Sequence, residues 1–127
     1  MDGIKLMKDP TRGGLATILN EIACKSSKNI KIIEESIPIK PEVRWVNRLI
    51  GLEPLYLACE GRMVIVANKN VSKYIVEELR RDTRYQETKI IGNIVEENKK
   101  PVVILETLIG GRKILGVLDG EMLPRIC

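Results

Sequence analysis

Three short stretches of this chain hold residues whose types and spacing can do chemistry. The first is Asp9-Pro10-Thr11-Arg12-Gly13-Gly14, directly before a segment with helical periodicity. Paired glycines at a helix entrance let backbone approach a ligand closely, and the N–H groups there attract anions. Arg12 can add a bidentate contact to a phosphate or carboxylate. A capped helix with a glycine turn explains the same residues, and on spacing alone it is the simpler reading. Neither a GxxxxGKS/T nor a GxGxxG pattern occurs, so no P-loop or dinucleotide site is implied.

The second stretch is Cys59-Glu60-Gly61, before a β-branched run. A carboxylate at a strand entrance beside a glycine can reach into a cleft and act as a general base. An ordinary strand-edge glutamate satisfies the spacing more simply. Cys59 and Cys24 read as small buried hydrophobes.

The third is the ending, Leu123-Pro124-Arg125-Ile126-Cys127. A terminal thiol is exposed and easily oxidised, which makes a final cysteine an unusual choice. It is not a prenylation box, which places cysteine four residues from the end. The adjacent α-carboxylate raises the thiol's pKa by like-charge repulsion, so this is no locally activated thiolate. A mobile arm tipped by a thiol suits a carrier that delivers a bound group elsewhere. A frayed or cut end is an equal reading.

Composition narrows the chemistry further. The 127 residues include no histidine, which removes Ser-His triads, Cys-His nucleophiles and histidine metal sites. Three widely spaced cysteines with no CxxC give neither a disulfide framework nor a zinc knuckle, and they fit a reducing cytoplasm. The net charge of +4 is mild, and with one Trp, three Tyr and no Phe there is no stacking platform for nucleic acid. No apolar run approaches the roughly 20 residues of a membrane span, and an acid at position 2 does not suit a signal peptide. No metal site is expected from these residues.

The elements that must position these stretches follow from periodicity. Leu15, Ile18, Leu19, Ile22 and Ala23 form the stripe of an amphipathic helix from about Gly14 to Cys24, with Asp9-Pro10-Thr11 as its start and capping signals. Asn29 to Ile33 alternates as a strand, followed by an extended piece at Ile37-Pro38-Ile39. Pro41 opens a second helix that should bury Val43, Val46, Leu49 and Ile50 and stop at Gly51. A short helix starts near Pro54, and Arg62 to Ala67 reads as a central strand. Asn70 is expected to cap a third helix burying Val71, Ile75 and Leu79. Strands are expected at Lys89–Val95, Val102–Thr107 and Arg112–Leu115, with turns at 98–101 and 110–111. Helices covering a mixed sheet with a strand-rich end predict an α+β sandwich.

Several motifs together carry a resemblance. Asp9-Pro10-Thr11-Arg12-Gly13-Gly14-Leu15-Ala16-Thr17 is followed by Leu19-Asn20-Glu21-Ile22-Ala23. Further on come Leu52-Glu53-Pro54-Leu55-Tyr56-Leu57-Ala58-Cys59-Glu60-Gly61, Ile109-Gly110-Gly111-Arg112-Lys113-Ile114-Leu115 and the ending Pro124-Arg125-Ile126-Cys127. The chain resembles the HypE family of hydrogenase maturation proteins, within the aminoimidazole-ribonucleotide-synthetase (PurM-like) superfamily. The Pro-Arg-Ile-Cys ending is the most specific part of the likeness.

The resemblance implies a three-layer α/β sandwich over residues 1–115 and a mobile tail over 116–127. It also implies an absent N-terminal domain that supplies most of an ATP and Mg2+ site. Cys127 would accept a carbamoyl group from HypF, and ATP would drive its dehydration to a thiocyanate. The cyano group would pass to iron on the HypC–HypD complex, becoming a cyanide ligand of a [NiFe]-hydrogenase. Glu60 matches a candidate base, while Asp9, Thr11, Arg12, Gly13 and Gly14 would face the nucleotide phosphates. A cytoplasmic homodimer is expected on the same grounds, and the isolated domain is expected to be inactive. Two other classes compete: a non-catalytic assembly module, and another ATP-dependent synthetase or kinase of the superfamily.

Overall fold

The computed structural model of the chain describes residues 3–10, 13–51, 53–57 and 62–116. Two strands carry the core. Strand β2, Lys28–Ile33, pairs in parallel with β5, Val103–Glu106, aligning Ile30 with Val103 and Ile32 with Leu105. Side chains alternate across a sheet, so these four point to one face, where all are almost fully buried. Lys31 and Glu106 lie on the other face and form an ion pair at 3.7 Å.

Helix α1, Gly14–Ser26, covers the apolar face with Ala16, Ile18, Leu19, Ile22 and Ala23, close to the expected stripe. It ends at Ser27 in a left-handed conformation. Cys24 points outward and is exposed, which corrects its reading as a buried residue. Its neighbours Ile22 and Ala23 take the inward positions, and Cys24 falls one step round the helix from them.

Strands β4, Gly92–Glu97, and β6, Arg112–Ile114, complete a four-stranded sheet in the order β4-β2-β5-β6, each antiparallel to its neighbour. The expected 98–101 turn precedes β5. There Asn29, buried at the start of β2, accepts hydrogen bonds from the Val102 N–H (2.9 Å) and the Asn98 carboxamide (3.3 Å). The mixed sheet and its helices make the α+β class that the sequence predicts.

A second sheet was not foreseen. Strand β1, Ile4–Lys8, pairs antiparallel with β3, Val64–Ala67, as a two-stranded ribbon. Residues 62–67 were expected to be a central strand; β3 instead lies outside the four-stranded sheet and its side chains are half-buried. β-branched content signals extended backbone, not a position within a sheet.

Helix α2, Pro41–Ile50, has the predicted bounds, with Pro41 at its first turn and Gly51 closing it at φ 75°. Its orientation is the reverse of the expectation. Val43, Val46, Leu49 and Ile50 are all exposed, as is Trp45, whereas Asn47 is buried. Arg44 is held on the inner side by Glu34 at 3.3 Å. A hydrophobic stripe records which side is apolar, and here that side faces away from the described core.

Helix α3, Lys69–Arg80, is capped by Asn68 rather than Asn70, and only Ile75 of its expected face is buried. The segment around Ile37-Pro38-Ile39 forms no strand. Among the described residues, no helix is long and apolar enough to cross a membrane.

Candidate functional site

The fold brings three distant parts of the chain to one corner. The first is the turn into α1. Gly13 caps the helix at φ 74° and Gly14 follows at φ 66°, a left-handed pair that glycine adopts without a steric penalty. No side chain caps the helix and no acid occupies its first turn, so Asp9 and Thr11 are not the cap that the sequence suggested.

The second part is the segment after α2. Pro54–Tyr56 forms one 3-10 turn, closed by the Leu57 N–H donating to the Pro54 carbonyl at 3.2 Å. This segment lies hard against the α1 entrance. A Cβ on Gly14 would sit 2.5 Å from the Leu57 carbonyl oxygen and 2.7 Å from that of Leu55. A Cβ on Gly13 would strike the side chain of Thr17. Both glycines therefore make room for the protein's own chain. What this turn offers an anion is the uncapped, positively polarised end of α1.

The third part is the strand exit after β6. The Leu115 N–H donates to the Val103 carbonyl (2.8 Å), and the Asn20 carboxamide donates to the Leu115 carbonyl (2.9 Å). One residue further, the Tyr56 hydroxyl donates to the Gly116 carbonyl at 2.6 Å. Partial burial, followed by the nearby Glu53 carboxylate, holds the Tyr56 phenol above its ordinary pKa, so it stays protonated and able to donate. Glu53 itself reaches Lys113 at 4.0 Å, a second tie between the 53–57 segment and the β6 end.

Of the residues singled out in the sequence, Gly13 and Gly14 belong to this corner, and Asp9 is exposed just after β1. Thr11, Arg12, Glu60 and Cys127 lie outside the described residues, as do Cys59 and the expected tail over 117–127. The structure adds Asn20 and Tyr56, which residue-type reasoning passed over. Both sit inside quoted motifs, but their partners lie 95 and 60 residues away, and spacing along the chain gives no hint of that.

A separate groove of about 650 Å3 lies between β1, β3, β4 and the C-terminal half of α1. Lysines 5, 25, 28 and 69 line it, together with the Lys8–Glu21 ion pair, and it holds none of the expected site residues. Among the described residues, no group of three or more Asp, Glu or Cys side chains is placed to hold a metal.

Comparison with known proteins agrees with this arrangement. Residues 1–104 match the AIR synthase related protein, C-terminal domain, family. The chain is 41% identical over 125 residues to the carbamoyl dehydratase HypE of Bradyrhizobium diazoefficiens, covering 98% of this chain and 36% of that protein. It superposes on a crystal structure of hydrogenase maturation protein HypE in complex with ATP with a TM-score of 0.88 and 35% identity, covering 98% of this chain and 38% of that one. The crystal structure of a HypE–HypF complex matches with a TM-score of 0.83 and 32% identity, over 92% of this chain and 37% of that one. The chain thus spans little more than a third of the length of the relatives it matches. With shared motifs, sequence and fold in agreement, the chain belongs to the AIR synthase related C-terminal domain family, in its HypE hydrogenase maturation group.

Proposed function

We propose that this chain is the carrier-bearing, C-terminal part of an ATP-dependent carbamoyl dehydratase that prepares the cyanide ligand of a [NiFe]-hydrogenase. One observation supports this reading above others. The α1 entrance, the segment leading to Glu60 and the strand exit leading to Cys127 share one corner of the fold.

In this reading the Cys127 thiol attacks a carbamoyl group presented by HypF and becomes an S-carbamoyl thioester-like amide, releasing its proton. Amide oxygen is a poor leaving group. ATP, when bound, supplies a phosphoryl group that turns that oxygen into a good one. Loss of the oxygen as phosphate and of the two amide protons leaves a thiocyanate on the same sulfur. Glu60 is the residue of this chain suited to take a proton, since it sits a few residues past the Tyr56 anchor.

The described residues fit an anion at the α1 entrance. The helix end is positively polarised, no side-chain cap blocks it, and no first-turn acid repels phosphate. Thr11, Arg12, Gly13 and Gly14 would hold the phosphates from this side, with Asp9 beside them. No described cluster suits Mg2+, so no step is assigned to it here. Most of the ATP site is assigned to a preceding domain of the longer protein, which leaves the isolated chain silent in dehydration. The HypC–HypD complex would receive the cyano group, and the longer protein would pair as a homodimer.

Intact mass spectrometry tests the reading. The protein is incubated with HypF, carbamoyl phosphate and ATP, alongside a Cys127→Ala control. A single carbamoyl adduct present only with Cys127, and losing water in the longer ATP-competent protein, is the expected result. An unmodified thiol in the presence of active HypF overturns it.

A further inference from the structure

The root of the arm is held more firmly than a simple tether requires. Around residues 115–116, three successive backbone groups are each taken by a different element. β5 accepts the Leu115 N–H through Val103, α1 binds the Leu115 carbonyl through Asn20, and the 3-10 turn binds the Gly116 carbonyl through Tyr56. Leu115 is 1% exposed, so its backbone is also fixed by packing. The Asn20 carboxamide is itself oriented, because it also donates to the Ala16 carbonyl at 2.8 Å within α1. Two of these three bonds come from side chains that have no other evident reason to be polar. Phenylalanine and leucine would fill the same space.

We infer that Asn20 and Tyr56 are positioning residues, which fix the point and direction in which residues 117–127 leave the domain, beside the segment that leads to Glu60. The inference rests on the proposed carrier role of Cys127. An arm of eleven residues spans at most about 40 Å fully extended, and as a flexible chain about 17–20 Å on average. The effective concentration of its tip at a fixed site falls steeply as free length grows. Pinning the chain at 115–116 therefore keeps the free arm as short as the strand exit allows, and aims it at the corner where the α1 entrance lies. The raised pKa of Tyr56 is consistent with this, since only the protonated phenol can donate.

The anchor acts on the step in which the arm returns to its own domain. Loading by a separate enzyme needs only an accessible thiol and does not depend on where the arm begins. Two variants separate these steps: Tyr56→Phe, which removes one hydroxyl and keeps the ring, and Asn20→Asp, which keeps the shape and removes both donors. In each, hydrogen exchange of the Leu115 amide should quicken about three- to tenfold, while amides of β2 and of the α1 centre keep their wild-type rates. In the full-length ATP-competent protein, the rate of carbamoyl loading by HypF should be unchanged and dehydration of the loaded thiol several-fold slower. Unchanged exchange at Leu115 in both variants overturns the anchor. Faster exchange with wild-type dehydration overturns the positioning role. If wild-type Cys127 takes no carbamoyl group, the proposed function fails, and the positioning role with it, whatever the exchange data show of the anchor.

Discussion

The Tyr56 hydroxyl and the Gly116 carbonyl meet at 2.6 Å across sixty residues of sequence. This contact ties the turn after α2 to the last described residue of the chain. It also makes Tyr56 a group whose protonation state bears on structure, because the phenolate cannot donate.

Burial and Glu53 both disfavour that phenolate, so folded Tyr56 ionises above the ordinary tyrosine value of about 10. The stabilising effect of the bond is fully present below that ordinary value and is lost as pH rises through the higher folded value. Ultraviolet titration of wild-type protein and of Tyr56→Phe isolates this component by difference. Its midpoint should lie above the ordinary range, and a midpoint at or below it would contradict the structure.

Gly14 should tolerate no side chain. In Gly14→Ala the new methyl meets the backbone of Leu55 and Leu57, and backbone cannot swing aside. Together with the left-handed conformation this costs roughly 2–4 kcal/mol in a urea melt. Gly51→Ala is the control, with similar φ but nothing within 4 Å, and should lose only about 1–2 kcal/mol. Equal losses at the two positions would show that crowding at Gly14 is not real.

The outward face of α2 makes an unusual prediction for apolar residues. Leu49→Lys should change the stability of this chain by less than about 0.5 kcal/mol, because Leu49 is 66% exposed. Ile32→Ala, at a position 2% exposed, should cost about 2–5 kcal/mol. A large loss in Leu49→Lys would restore the orientation that the stripe alone suggests.

Asn29 anchors the turn before β5 through the Val102 N–H. Asn29→Ala leaves that buried donor without its partner and should cost about 1–3 kcal/mol, read as a shift of the denaturation midpoint. A neutral result would mean that the 98–101 turn is closed by its other contacts.

Local patterns were legible wherever a residue's role depends on its near neighbours. The α1 stripe, the Pro41 start and Gly51 stop of α2, and the Pro54 turn were all readable, since each is decided within one or two turns of backbone. The placement of β3 was not, because its partner β1 lies some sixty residues upstream and β1 has no distinctive composition. The cap of α3 moved by two residues, from Asn70 to Asn68, since both are competent caps and packing chose between them. For the site, the sequence marked the glycine turn and the 52–61 motif without showing that they touch.

What the sequence determined by itself was the inventory: a chain without histidine, a glycine-paired helix entrance, a terminal cysteine, and helices and strands whose bounds follow from propensity and capping. Those properties are local, and side-chain chemistry plus backbone sterics settle them. Only the tertiary structure decided that Gly14 abuts Leu55 and Leu57, that Asn20 and Tyr56 hold the carbonyls of Leu115 and Gly116, and that α2 turns its apolar side outward. Each of these depends on which distant surfaces meet, and that choice is made by burial summed over the whole chain.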